Sequence, residues 1–377
     1  MSGPNRGSKR GLVVVATLCA GLLATQARAE ITITERNAMR RQQRHAAKAG
    51  TVRPLARGSD ALVDAGGVKY FINDDISTSN TYSESGAMSE ASYTHAVAAS
   101  TSGGGTTAST LNDAFDGYAS ICVSFTGHTG PCHTGDSDYW LYADNGPATS
   151  ECLGSASGVN RQYVFGTATM GPLHVFRKVF VPDNEQFARW LNYFTNFSGA
   201  PVTFNVITAN NLGSDADTVI VSSSTGSNAS PFTDTSATWV TTFQNWGSPA
   251  ANRSSDPRLG HVMQGVGAPV PVSLVNFVNG QDKPFWAYTL TLQPGETKII
   301  MTFVAVQPTK AAAAAKAAML AGAPPIALQC MSPTDAAEVV NFAAQLANIP
   351  ALSRTGIAVL AALLLGAAAL VLRTKTA

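Results

Sequence analysis

From Trp286 to Leu292 the chain alternates without a miss. Trp286, Tyr288, Leu290 and Leu292 fall on one face, and Ala287, Thr289 and Thr291 on the other. A period of two excludes an amphipathic helix and demands a strand with one buried face. Pro294-Gly295 marks a turn, and Lys298–Val306 follows as a near-continuous apolar run, so the pair reads as a β-hairpin. His174–Val181, Arg189–Thr195, Pro201–Thr208 and Thr218–Ser222 are further strands, each bounded by Pro, Asn, Gly or Asp. Short strands at such spacing, without helices between them, predict a mainly β fold, a large or doubled antiparallel β-sandwich.

Composition fits that reading. Only 13% of the residues are charged, against about a quarter in an average globular protein. Ser, Thr, Asn, Gly and Ala make up the difference, a mix common in exported β-proteins. The 377 residues suffice for one large domain or two smaller ones. Pro308 ends the β region, and Thr309–Leu320 is rich in Ala, the best helix former. Ser332-Pro333-Thr334-Asp335 then places an N-cap, a Pro at the first helical position and an acid at the third. Val339, Phe342, Ala343 and Leu346 continue at helical spacing until Pro350. Two short helices are therefore expected after the sandwich. Before it, Glu35–Lys48 reads as an exposed basic helix or arm, and Ser77–Thr110 as Ser/Thr/Gly-rich loops between weak strands.

Both ends are apolar. Arg6, Lys9 and Arg10 precede a short hydrophobic run, Leu12–Leu23, and Ala27-Arg28-Ala29 offers small residues for cleavage before Glu30. That is the pattern of a secretory leader over residues 1–29, so secretion machinery and a signal peptidase are expected partners. At the other end Gly356–Leu372 contains no polar residue and is followed by Arg373 and Lys375. Seventeen residues make a helix of roughly 25 Å, just long enough for a bilayer core. The basic stop should stay cytoplasmic and leave the body outside. These ends hold seven basic residues and no acid, so the remainder carries six more acids than bases. A mildly acidic body is a poor partner for nucleic acid.

The order of motif, apolar helix and basic tail at residues 349–377 resembles the IPTL-CTERM sorting signal of Gram-negative bacteria. Ile349, Pro350, Leu352, Ser353 and Gly356 match that signal; Ala351 stands where Thr is usual, and Thr355 where Trp is usual. The resemblance implies an exosortase-type membrane transpeptidase as partner and removal of the helix. The protein would pass through an inner-membrane-anchored intermediate, with its body outside the cytoplasm, to the envelope or cell surface. The stretch from Phe176 to Gly213 resembles uncharacterised exported β-sandwich proteins. The domain plan is then a leader (1–29), an arm with weak strands (30–112), the sandwich body (113–308), a helical linker (309–348) and the sorting tail (349–377).

Four cysteines survive leader removal: Cys122, Cys132, Cys152 and Cys330. In an oxidising compartment an even number suggests disulfides, with three pairings open and a local Cys122–Cys132 clasp favoured. A zinc site on His128, Cys132 and His133 lacks a second close ligand pair. Asp113 and Asp116, and Asp215 and Asp217, sit in turn-like contexts where calcium is a candidate, without the full spacing of a known loop. No cofactor is otherwise expected. Gly154–Gly158 is not a nucleophile elbow, because Ala156 holds the central position. Gly265-Val-Gly267 lacks the rest of a dinucleotide loop. Asp183, Glu185, Arg189 and Trp190 follow a strand and could line a sugar site, although a solvated turn and a core Trp explain them better. The expected function is a non-enzymatic, adhesive or matrix-associated envelope protein. The alternative is a sandwich that binds or cleaves carbohydrate, with a glycan as ligand.

Overall fold

The computed structural model describes residues 61–73, 82, 84–100, 106–128, 130–132, 138–143, 148–245 and 254–343. The expected cleavage site at Ala27, Ala29 and Glu30, the expected sorting motif at 349–356 and the expected basic stop at Arg373 and Lys375 lie outside them. Among the described residues no helix is long and apolar enough to cross a membrane.

The chain forms β1 (Ala61–Val63), β2 (Val68–Ile72), β3 (Met88–Tyr93), β4 (Val97–Ser100), β5 (Thr106–Ser109), β6 (Phe115–Ser124), β7 (Trp140–Leu141), β8 (Thr149–Leu153), β9 (Asn160–Val164) and β10 (Ala168–Met170). It continues with β11 (Leu173–Phe180), β12 (Ala188–Asn196), β13 (Val202–Leu212), β14 (Thr218–Ser223), β15 (Trp239–Gln244), β16 (Arg258–Val262), β17 (Leu274–Asn276), β18 (Phe285–Leu292) and β19 (Thr297–Gln307). Helices α1 (Lys310–Ala321) and α2 (Pro333–Glu338) close it. One sheet runs β1-β2-β3-β6-β13-β18-β17, with β7 also on β6. The other runs β14-β15-β16-β19-β12-β11-β9-β8, with β10 also on β11. The two pack as an antiparallel β-sandwich whose main core spans from Leu62 to Val306 in sequence and includes Trp190, Trp286 and Tyr288. The early strands β1–β3 belong to the same sheet as β6.

The expected Trp286–Val306 hairpin does not form. Both strands exist, but β18 pairs with β13 and β17 in the first sheet, while β19 pairs with β12 and β16 in the second. Residues 293–296 are an arch between sheets. Alternation specifies a strand and its buried face, not its partner. Sheets stack about 10 Å apart, a gap that four residues at ~3.3 Å each can span.

Strands β12 and β19 read as apolar runs because both their faces are covered. Trp190, Ile300 and Val304 point into the inter-sheet core, while Leu191, Met301 and Phe303 belong to a second cluster under the helices. Helix α1 starts at its Thr309 cap and lies close over β16. A Cβ at Gly260 would meet the Ala313 carbonyl oxygen at 2.8 Å, so glycine is required for that approach. Helix α2 has the full Ser332/Asp335 capping box but stops at Glu338. The helix expected through Val339 and Phe342 is therefore six residues long. Val339 turns extended and bridges Ile299 in parallel. The buried Asn341 side chain accepts from Met301 N and donates to the Met301 and Met263 carbonyls. This segment takes up backbone groups of β19 that β16 is too short to reach, which outweighs one more helical turn.

Candidate functional site

Where the two sheets end side by side, their edge strands leave an open groove of about 620 Å³. Leu62 of β1 and Lys69 of β2 line it from the first sheet; Ser150, Leu153, Val159, Asn160 and Tyr163 line it from β8, β9 and their turn. The ribbon geometry sets this lining. Ser150 pairs with Tyr163, and Glu151 with Gln162; since successive side chains alternate faces, Ser150 and Tyr163 take the groove side and Glu151 and Gln162 the opposite side. There Gln162 donates to the Glu151 carboxylate at 2.7 Å. The β8–β9 turn is held from outside. The Asp183 carboxylate accepts from the amides of Ala156 and Ser157 and from the Ser157 hydroxyl.

The groove is amphipathic. Leu153 is 69% exposed and Val159 51%, and Tyr163 adds a half-buried ring. Lys69 supplies a positive donor above the Phe71 ring, and Ser150 and Asn160 supply neutral donors and acceptors. Among the described residues no carboxylate, imidazole or thiol lines it. Its volume falls within the range of small-ligand sites, roughly 300–1,000 Å³, and its described lining sets hydrogen-bonding groups beside apolar surface.

The residues singled out as a sugar site are not brought together in a cleft. Asp183 caps the turn, and Glu185 pairs with Lys316 at 2.5 Å. Arg189 is buried, donating to the Ala327 and Gln329 carbonyls and to Gln162. Burial pushes its guanidinium down to about 9. Trp190 lies in the core with its indole N–H on the Gly86 carbonyl. A sugar site on these four residues is overturned: the strand that follows Asp183 is covered on both faces.

Cys122 pairs with Cys132 and Cys152 with Cys330. A bonded Cys132 cannot serve as a thiolate, so the zinc reading falls. His128 instead contacts Asp138 at 2.6 Å, and His133 lies outside the described residues. The two Asp-rich turns do meet, through Gly213 N donating to the Ala114 carbonyl. Asp113 and Asp116 are raised by burial and by neighbouring acids, Asp215 among them. Among the described residues, however, no group of three His, Cys, Asp or Glu could hold a metal ion.

Titratable groups also lie between the sheets. His261 is fully buried, with Nδ1 2.8 Å from the Tyr118 hydroxyl and Nε2 2.8 Å from the Thr242 hydroxyl. Burial pushes it down to about 3. Glu84 accepts from Ser120 and is pushed up to about 7 by burial. Beside it Arg177 crosses from β11 to the Ala119 carbonyl of β6 in the first sheet, to the Ser85 carbonyl in the turn before β3, and to Asn192. These groups hold the sheets together.

No protein-family model matches the chain, and no curated protein matches it. Among solved structures, it is similar to a polysaccharide lyase at 14% identity and TM-score 0.35, over 67% of this chain and 34% of the lyase. It is also similar to a galactose mutarotase-like protein from Lactobacillus casei at 9% identity and TM-score 0.34, over 66% of this chain and 100% of that one. A galactose mutarotase related enzyme from Lactobacillus acidophilus gives 10%, TM-score 0.32, and 66% and 98% coverage. The chain thus spans about a third of the lyase's length. Likeness at this level assigns no activity.

Proposed function

We propose that this protein is an exported envelope protein whose sandwich binds a glycan in the edge groove without cleaving it. One observation carries the reading: a groove of about 620 Å³ that combines exposed apolar and aromatic surface with Lys69, Ser150 and Asn160 and has no acid among its described lining residues. Sugars present apolar C–H faces and rings of hydroxyls, which is the complement of such a lining. Glycoside cleavage usually uses two carboxyl groups about 5–10 Å apart across the bond, and none of the described residues lining this groove carries one. Two disulfides favour an oxidising compartment, in keeping with the leader and the IPTL-CTERM-like tail.

A glycan array probed with the mature protein should give hits that are abolished in Tyr163→Ala and unchanged in Val266→Ala. Hits that survive Tyr163→Ala would place binding elsewhere; an empty array would leave a non-binding, structural envelope role. Reducing-end assays on any bound glycan should show no cleavage. For the export reading, mass spectrometry of the cell-associated protein should find a chain that begins at Glu30 and ends before Gly356. Recovery of an intact tail through Ala377 would make the apolar helix a permanent anchor.

A further inference from the structure

The β8–β9 ribbon has two faces with different tasks. One lines the groove through Ser150 and Tyr163. The other holds the segment that follows α1. Gln162 donates to the Cys330 carbonyl at 3.1 Å as well as to Glu151, and its side-chain oxygen accepts from Arg189, which also binds the Ala327 and Gln329 carbonyls. Lys178 of β11 lies 3.3 Å from Glu151 and 3.4 Å from Asp335 of α2. At the centre of this seam is the Cys152–Cys330 disulfide, which joins the ribbon to the C-terminal segment across 178 residues of sequence.

Two features set this bond apart. Both of its cysteines sit in the left-handed region at φ +64°, a conformation an L residue holds only when its surroundings impose it. Both are also partly exposed, whereas Cys122 and Cys132 are fully buried. Thiol–disulfide exchange requires a thiolate to reach a sulfur, so an external reductant meets Cys152–Cys330 first. Among the described residues edge strand β8 pairs only with β9; besides that pairing and the bond, polar contacts tie it to its surroundings, through Glu151 to Lys178 and through the β8–β9 turn to Asp183.

We propose that the Cys152–Cys330 disulfide is a redox-sensitive clamp on the groove. This rests on the groove being the binding site. While closed, the clamp fixes the β8–β9 wall in the binding position. A dithiol opens it: one thiolate attacks a cysteine sulfur, breaking the S–S bond and releasing the other cysteine as a thiol, and the second thiolate then attacks the reductant's own sulfur in the mixed disulfide and releases the remaining cysteine. Two electrons and two protons pass to the protein, leaving two cysteine thiols and a cyclic disulfide of the reductant. The wall then relaxes and the groove loses its shape.

The test is hydrogen exchange with mass spectrometry on the mature oxidised protein under graded dithiol, with alkylation mapping of the cysteines. Cys152 and Cys330 should be alkylated before Cys122 and Cys132. At that stage exchange over residues 148–164 should rise by about tenfold while residues 115–124 stay protected. A Cys152→Ser/Cys330→Ser protein should show the same pattern without reductant, and Cys122→Ala/Cys132→Ala should not. Unchanged protection over 148–164 with the bond open overturns the proposal, as does earlier opening of Cys122–Cys132. Exchange is read without any ligand, so its failure is distinct from failure to bind glycan. Where an array hit exists, its affinity should fall by about tenfold on opening, and an unchanged affinity would equally overturn the clamp.

Discussion

The inter-sheet interior and the edge groove both contain polar side chains, yet those of the interior face protein and those of the groove face solvent. In the interior both His261 nitrogens have protein partners, and Arg177 bonds to three oxygens from both sheets. In the groove Lys69, Ser150 and Asn160 line an open volume. Burial shifts both Glu84 and His261 in the interior, where no solvent-open space reaches them. A perturbed pKa records burial first; it marks a functional site only when the group also lines a cleft.

The largest effect should follow from breaking the interior. Arg177→Met leaves the Ser85 and Ala119 carbonyls and Asn192 without their donor and Glu84 without its neighbouring cation. Stability by chemical denaturation should fall by about 3–5 kcal/mol, while glycan affinity of the folded fraction stays unchanged. A loss below about 1 kcal/mol would mean that the interior charges are dispensable.

pH separates the regions next. Burial raises Asp64, Glu84 and Glu90 to about 7 and Asp256 to about 8. In each case the folded state holds the proton more tightly than the unfolded chain. Their contribution is therefore full below about pH 4 and is lost as pH rises toward 7–8. His261 works in the opposite sense: its folded pKa is depressed, so its contribution is full above about 6.5 and is lost as pH falls toward 3. Four acids against one imidazole predict declining stability from pH 5 to 8, with a slope of about 1.4 kcal/mol per pH unit for each net proton. Urea denaturation at several pH values should show this decline, with a shallower slope in Asp256→Asn. A flat profile in the wild type would contradict these burial assignments.

Much of the sandwich was legible because period two and turn residues are local signals. Leu173–Phe180 and Ala188–Asn196 form where alternating or continuous apolar residues predict them. Partner choice was not legible: Pro294-Gly295 suits an arch as well as a hairpin. Val339 and Phe342 mimic a helical stripe, but Val339 buries its side chain from an extended residue bridged to β19, and Phe342 buries its own from the bend that follows. The groove left no sequence mark. Its walls come from residues 61–69 and 150–163, which are remote in sequence, and it uses ordinary Leu, Val, Ser, Asn and Tyr. Asp183 and Glu185 drew attention by their chemistry, but what defines the site is exposure, which only the assembled sheet edges determine.

The smallest stability effect should carry the most functional information. Leu153 is 69% exposed and lines the groove; Val266 is 75% exposed and lies on a turn remote from it. Exposed side chains contribute little to folding, so Leu153→Asp and Val266→Asp should each stay within about 0.5 kcal/mol of the wild type by denaturation. They should part on binding. Leu153→Asp places a charge where a sugar's apolar face would rest and should weaken any array hit by about tenfold; Val266→Asp should leave it unaltered. Equal losses in both variants would mean that exposed apolar surface alone, and not the groove between the sheet edges, retains the ligand.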